Sequence, residues 1–530
     1  MKIALIATPY PLEEAPSPPL GLSYVAAACE SAGAEVRIFD FIVSKYTPEK
    51  LASILDTFNP DVVGANSVTM NVLTAAGIIQ AVKRHRPSII TMMGGPHVSF
   101  DIKGMLTTYP ELDLIVVGEG EQTLLELIPL IQERSSWETV PGIAFRKDGE
   151  ILITQARPLI HDLDAIPLPA RHLLPLSRYQ ALGFPVSIIT SRGCPNQCVF
   201  CLGRKMVGNR GRFRSAALVV DEIEQLVSMG FSRINVADDL FTANKNRVRE
   251  LCYEIRNRNV DFTWSAFARV NTVDLETLRI MRETGCDCVS FGIESGNIDM
   301  LKRARKGITL DQARAAVRAC KEAGILPHAS FMVGLPGESP ETLKDTERFA
   351  HELNIAHGYH LLAPFPGTTV YEEINRYDLD ILSHDWDLYD ANHAIVKTSK
   401  LSPEEMETFV KEYDRFHEEL WQETQQRYRE KTCTPYEQLL VEGRARMNLV
   451  YRILSEDIIE DTSCEYSSGM DPVVLMSRAI SQKTGSDEMF VFNVLHGFHE
   501  SGFIKSEQLN GRVSFHWTHS PALDALPIPA

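Results

Sequence analysis

One short run constrains this chain more than any other. Cys194, Cys198 and Cys201 form a C-x3-C-x2-C array directly behind the apolar stretch Ser187–Thr190. Thiolates at that density in one loop can wrap a single metal centre, and iron–sulfur clusters are held by cysteine thiolates, normally four. This run supplies three, which leaves one iron open to bind and reduce a small ligand. A zinc loop is the competing reading, but zinc loops come as paired C-x2-C units or with nearby histidines, and neither is here. The remaining cysteines, including Cys286 and Cys288 just ahead of a strand-like run, follow no framework pattern, so disulfides are not expected.

The chain around the array alternates strand-like and helix-like blocks. In residues 1 to about 150 the strand candidates are Ile3–Ala7, Glu35–Phe39, Asp61–Ala65, Ser88–Met93 and Leu112–Val117, with helical spacing at Gly21–Ala32 and Asn71–Arg84. That alternation implies an α/β, doubly wound parallel sheet, whose ligands bind at the carboxyl ends of the strands. Turns of small and glycine residues fall there: Asn66-Ser67-Val68-Thr69, Gly94-Gly95-Pro96-His97 and Gly118-Glu119-Gly120. A Rossmann-like domain for another nucleotide is the alternative; the absence of G-x-G-x-x-G at the first helix lowers it. Val140–Arg146 and Glu150–Thr154 flank Asp148-Gly149 as a hairpin, and the proline-rich Pro158–Pro175 reads as a linker within 151–180. Six further strand candidates follow: Ser187–Thr190, Arg233–Ala237, Phe262–Ala268, Cys288–Ile293, His328–Val333 and Tyr359–Pro364, separated by helical segments such as Ala216–Met229 and Asp311–Ala323. In parallel barrels the chemistry sits at the carboxyl ends of strands. Asp238, Asp239, Arg269, Glu294, Ser295 and Gly334 stand at those ends. For Asp238 and Asp239 a helix-capping turn is an equal alternative.

The C-x3-C-x-aromatic-C pattern, with Phe200 as the aromatic, resembles the signature loop of the radical S-adenosylmethionine (radical SAM) superfamily. The resemblance implies a partial (β/α)6 barrel over 181–370 and a [4Fe–4S] cluster on Cys194, Cys198 and Cys201, with SAM chelating the fourth iron. It also implies SAM contacts from Phe200, Asp238, Asp239, Arg269, Glu294, Ser295 and Gly334. Upstream, PDVVGANSVT, MMGGPHVSF and DLIVVGEGE resemble the recurring turns of the cobalamin-binding domain of B12-dependent radical SAM enzymes. That implies a Rossmann-like cobalamin domain over 1–150, with contacts from Pro9, Asn66, Ser67, Thr69, Gly94, Gly95, Pro96, His97, Gly118, Glu119 and Gly120. The D-x-H-x-x-G motif that supplies a cobalt-ligating histidine elsewhere is absent, so base-off cobalamin is implied, with His97 at the pocket edge rather than on cobalt.

The common activity of that family is methylation of centres with no nucleophilic lone pair, and the resemblance is strongest to its class B methyltransferases. One SAM methylates cobalamin; a second is cleaved to a 5′-deoxyadenosyl radical that abstracts a substrate hydrogen, and the substrate radical takes the methyl group. The expectation is anaerobic methyl transfer to an unactivated sp3 carbon, with a flavodoxin, ferredoxin or other reductase as electron donor. Ring formation or rearrangement and oxygen insertion remain alternatives, as does a cobalamin- or cluster-sensing regulator. A methylthiotransferase is disfavoured, since only Cys29 precedes Cys194. The substrate, a peptide or protein side chain or a small molecule, is not legible.

Charge narrows the rest. The net charge of −17 argues against broad nucleic-acid or anionic-membrane binding. No stretch reaches the ~20 apolar residues of a membrane span, and the N-terminus reads as a strand rather than a signal peptide, which points to the cytoplasm. A helical extension is expected over 371–440. There Ser402-Pro403-Glu404-Glu405 is a helix start, and Met406, Phe409, Tyr413, Phe416, Leu420 and Trp421 form a stripe that reads as core, placed to cover the barrel mouth. Residues 441–530 read as two helices and a hairpin, like a winged helix. Seven basic against twelve acidic residues there make a poor DNA surface. His496, His499, His516 and His519 read as ordinary surface histidines.

Overall fold

The computed structural model describes residues 1–466 and 469–519. The N-terminal part is a seven-stranded sheet in the order 2-1-3-4-5-6-7. Its first five strands, Lys2–Ala7, Glu35–Asp40, Val62–Asn66, Ile90–Gly94 and Leu114–Val116, run parallel. The central ones are near-continuous runs of buried apolar residues, as strands must be when helices cover both faces. The order reverses between the first and third strands, and such a switch point opens a crevice at the carboxyl ends. The expected hairpin, Ile143–Lys147 with Glu150–Ile153, adds two antiparallel strands and turns through Asp148 and Gly149, both at positive φ. Its last strand runs past residue 150.

The proline-rich stretch is fastened rather than loose. Arg171 is buried and donates to Glu222 Oε1 (2.8 Å) and to the Ser187 carbonyl (2.7 Å), tying it to the first strand of the next sheet.

That sheet has six parallel strands in sequential order: Val186–Ile188, Arg233–Val236, Thr263–Ala268, Cys286–Glu294, Leu326–Val333 and Ala356–Leu361. It is the partial barrel, with Cys286 and Cys288 inside its fourth strand rather than ahead of it. Period-two alternation sets the wall. Trp264, Ala266 and Ala268 are buried, whereas Thr263, Ser265 and Phe267 retain exposure, and Phe267 turns a ring 51% exposed toward the interior.

Beyond the barrel, the helix Pro403–Arg429 begins on the expected capping box, the Glu405 N–H donating to Ser402 Oγ (3.3 Å) and the Ser402 N–H to Glu405 Oε2 (2.8 Å). Met406 is buried, and Phe409 and Tyr413 pack on Tyr359 at 4.9 and 5.0 Å between ring centres. Phe416 and Leu420 are exposed. The stripe therefore covers the flank of the sixth strand, where a sixth barrel helix belongs, and not the mouth; only its first half is core. The C-terminal part comprises helices Pro435–Ser455, Pro472–Thr484 and Glu488–Glu500 and a three-stranded antiparallel sheet. Two helices and a hairpin are as expected; the strand Ser463–Glu465 and the long helix crossing residue 440 are additions. This part shares an apolar core with Leu12, Val43, Tyr179 and Leu182. No described helix is long and apolar enough to cross a membrane.

Candidate active site: two adjoining cavities

The cysteine loop leaves the first barrel strand through a short ribbon, Ser191–Arg192 paired antiparallel with Arg212–Phe213. Gly193 (φ 104°) makes the closure possible: a Cβ there would lie 2.2 Å from the Arg210 carbonyl oxygen. The Cys194 N–H donates to the Gly208 carbonyl (3.1 Å), which folds the loop back on itself. The loop forms one wall of a cavity of about 200 Å³ that Cys194, Cys198, Cys201, Phe200, Asp239 and Glu294 help to line.

Each sulfur meets a different donor. Asn196 Nδ2 donates to Cys194 Sγ (3.3 Å), Arg269 Nη1 to Cys198 Sγ (3.4 Å), and the Gly203 N–H to Cys201. Among the described residues no three His, Cys, Asp or Glu side chains are gathered closely enough for one metal ion. In a four-iron cluster each thiolate takes a different iron, so the ligands stand wider than around one ion. Three thiols lining one cavity are a donor set that fits such a cluster.

The polar residues at the strand ends divide. Asp239 and Glu294 face the cavity. Asp239 Oδ2 accepts from the Gly193 N–H (3.1 Å). Glu294 sits at a bulge in left-handed conformation (φ 73°), strain of the kind that re-aims a side chain, and pairs with Lys306 Nζ at 2.7 Å. Arg269 also lines the cavity, but its Nη groups are committed to Cys198 Sγ and the Lys306 carbonyl. Asp238 is turned away. It is buried and accepts three hydrogen bonds of 2.6 Å, from the Thr190 N–H, Thr190 Oγ1 and Ser191 Oγ. Burial raises its pKa against those bonds. It braces the strand entering the cysteine loop, while Asn244 caps the helix that follows. Ser295 is fully buried, 3.0 Å from Thr346 Oγ1, and accepts from the Asn297 N–H (3.1 Å). Gly334 faces Met406. Neither lines the cavity. In the Gly334 turn the buried Glu338 accepts from the Gly334 and Leu335 N–H groups (2.5 and 3.2 Å), and burial pushes its carboxyl up to about 8. Lys306 escaped the sequence reading because no motif marks it.

The second cavity is a cleft of about 520 Å³ at the carboxyl ends of the N-terminal sheet. Asn66, Ser67, Gly94, Gly95, Pro96, Gly118, Glu119 and Gly120 line it, as the turns suggest. Gly95 (φ 114°) crosses so near the neighbouring turn that a Cβ would lie 2.3 Å from the Ser67 carbonyl oxygen. Ser67 Oγ is buried with no partner, a hydroxyl left for a ligand to satisfy. Deeper, Leu5, Gly64 and Met92 of the sheet face Leu22, Val25 and Leu124 of two helices across an apolar slot. Those helix residues carry no motif and were not foreseen. Pro9, Thr69 and His97 stand outside the lining. The Pro9 carbonyl lies 3.4 Å from Asn71 Nδ2, and Thr69 Oγ1 meets His97 Nδ1 at 3.2 Å. The His97 ring packs on Trp386, and burial lowers its pKa to about 4. Among the described residues no histidine lines the cleft.

The two cavities adjoin. Asp239 lines both, and the short helix Gly203–Val207 presents Arg204 to one and Met206 and Val207 to the other. A buried ion-pair clamp fixes their spacing. Glu119 accepts from Arg212 (2.7 and 2.9 Å), from Arg192 (3.2 Å) and from the Ile160 N–H (2.8 Å), and Glu121 accepts from Arg192 (2.5 Å). Burial disfavours the Glu119 carboxylate, but the bonds from Arg212 and Ile160 and the Arg192 charge outweigh it and lower its pKa. The Glu119 side chain is thus spent on the cysteine ribbon.

Sequence comparison places both halves of this arrangement in known families. A model of the radical SAM superfamily matches residues 188–350, and a model of the B12 binding domain matches residues 14–128. An uncharacterized methyltransferase of Pyrococcus horikoshii is 33% identical over 397 residues, spanning 74% of this chain and 86% of that protein. The anaerobic magnesium-protoporphyrin IX monomethyl ester cyclase of Cereibacter sphaeroides is 31% identical over 415 residues, 76% of this chain and 67% of the cyclase. Among solved structures, the cobalamin-dependent S-adenosylmethionine radical enzyme OxsB with aqua-cobalamin bound superposes with a TM-score of 0.68 at 18% identity, covering 94% of this chain and 79% of OxsB. The chain belongs to the cobalamin-binding radical SAM enzymes, whose cofactors are a [4Fe–4S] cluster, SAM and cobalamin.

Proposed function

We propose that this methyltransferase moves a methyl group from SAM, by way of cobalamin, to an unactivated sp3 carbon of a substrate held between the two cavities. The observation that carries the reading is Asp239, which lines the cysteine cavity and the sheet-end cleft together. When bound, the cluster supplies the electron that cleaves SAM, and cobalamin supplies a methyl carrier. The protein's part is to hold, orient and shield. Cys194, Cys198 and Cys201 hold the cluster. Phe200, Asp239 and the Glu294–Lys306 pair bound the SAM space, where Asp239 would accept an N–H from the SAM amino group. Asn66, Ser67, Gly94, Gly95, Pro96 and the main chain of Gly118–Gly120 cradle cobalamin. The apolar slot would take its nucleotide arm, and Ser67 Oγ, buried without a partner, would supply it a hydrogen bond. Among the described residues no histidine lines the cleft, so the protein would offer cobalt no imidazole; the base-off form is the reading that agrees with a nucleotide arm held in the slot. The clamp of Glu119 and Glu121 on Arg192 and Arg212 sets the distance a methyl group must cross, as orientation requires.

The electron donor is proposed to be a flavodoxin, a ferredoxin or their reductase, and the setting the reducing cytoplasm, where ten free cysteines are tolerated. A second reading, ring formation, is supported by the similarity to the cyclase. Anaerobic turnover of methyl-labelled SAM with native cell extract separates the two. Methylation yields labelled product with S-adenosylhomocysteine and 5′-deoxyadenosine in equal amounts. Ring formation yields 5′-deoxyadenosine with neither labelled product nor S-adenosylhomocysteine.

A further inference from the structure

The sequence places Arg269 at the end of the third barrel strand, where the family resemblance makes it a SAM contact; its geometry in the structure suits another task. Its guanidinium is buried, 7% exposed. Nη1 points at Cys198 Sγ (3.4 Å), and Nη2 is anchored on the Lys306 carbonyl. Cys198 is itself buried, unlike Cys194 and Cys201, so this contact is sheltered from water. The other two sulfurs meet uncharged donors, the Asn196 amide and the Gly203 N–H. One of the three sulfurs therefore faces a fixed positive charge in a low-dielectric wall.

We propose that Arg269 sets the reduction potential of the cluster through its charged hydrogen bond to Cys198, making the cluster easier to reduce. The inference rests on the reading of Cys194, Cys198 and Cys201 as cluster ligands. One electron from the donor protein adds one negative charge to the cluster and its thiolates. A guanidinium cannot lose its proton at working pH, so it favours the more negative form throughout. Hydrogen bonds to the sulfurs, net charge and solvent exposure are the levers that set such potentials. Charge-assisted bonds are about twice as strong as neutral ones, which ranks Arg269 above Asn196. The anchor on the Lys306 carbonyl holds the fork in place, so Arg269 acts on the electron-accepting step and not as a SAM contact.

The test is a redox titration of full-length, anaerobically reconstituted holoprotein, followed by the electron paramagnetic resonance of the reduced cluster, with iron and SAM binding measured alongside. Arg269→Gln and Arg269→Met should keep wild-type iron and titrate at more negative potential, and Asn196→Ala should shift less in the same direction. A wild-type midpoint in an iron-replete Arg269→Gln or Arg269→Met protein overturns the proposal. So does loss of iron in both variants, which assigns Arg269 to cluster retention. A wild-type protein that binds no iron defeats the cluster reading itself, a separate outcome.

Discussion

The two cavities are built by opposite means. The sheet-end cleft is made mainly of main chain and apolar surface: turns at the strand ends, a glycine crossing against Ser67, and helix faces carrying Leu22, Val25 and Leu124, while Glu119, Glu121 and Arg192 in its lining are paired with one another. The cysteine cavity is made of side-chain charge: three thiols, Arg269, and the Glu294–Lys306 pair. The contrast follows the ligands each is read to hold. A large, amide-fringed corrinoid is gripped by shape and by peptide groups. A small, redox-active cluster with a charged sulfonium beside it is gripped and tuned by charge. A backbone site should fail through added volume, and a side-chain site through lost functional groups.

The largest effect is expected at the cysteines. Cys198→Ala should abolish SAM cleavage and most bound iron while leaving cobalamin loading near wild type, read by iron assay and corrin absorbance. The converse is Gly95→Val, which drives a side chain into the Ser67 carbonyl from a left-handed backbone. It should remove most bound corrin and keep the iron. Loss of both cofactors in either variant would break the separation of the two sites. Next comes the clamp that joins them. Glu119→Gln leaves Arg192 and Arg212 short of a buried partner, a change that costs about 3 kcal/mol. It should lower Tm and raise the yield of 5′-deoxyadenosine uncoupled from methylation. The smallest effect is a pH slope. The Glu338 carboxyl, at about 8 in the fold, stands above its ordinary ~4.3. The folded state thus binds the extra proton, and stability falls as pH rises from about 4 through about 8. Thermal melts from pH 5 to 8 should show a steeper loss for wild type than for Glu338→Gln.

How much of this was legible in the sequence depends on the range of the interaction. The cysteine loop and the six barrel strands are local, written in spacing and apolar runs. The cleft's turns were legible because glycine and small residues mark where a chain bends at a strand end. Its helix wall was not, because Leu22, Val25 and Leu124 look like any amphipathic face until the sheet sets their partner. Strand-end polarity was a guide of mixed quality. Asp239 and Glu294 face the cavity, whereas Asp238, one residue away, turns back to brace Thr190 and Ser191. Adjacent residues leaving a strand point opposite ways, and no spacing rule says which way. The clamp was invisible, since Glu119 and Arg212 are 93 residues apart and only the packed fold brings them together. The same holds for Arg171 with Glu222, which turns an apparent linker into a docked segment. The place of the His97 ring was not legible for a related reason: its turn reaches the cleft, but the ring is drawn into the aromatic contact with Trp386.

The central claim is that one chain holds an iron–sulfur cluster and a cobalamin at once, in adjoining but separate sites. Metal analysis of anaerobically reconstituted wild-type protein tests it most directly. Iron and cobalt are counted on the same sample, together with the magnetic coupling between the reduced cluster and cob(II)alamin. The account predicts about four irons and one cobalt per chain, with coupling that weakens when the Glu119 clamp is cut. Protein in which loading one cofactor excludes the other, or in which both load without coupling, would contradict it.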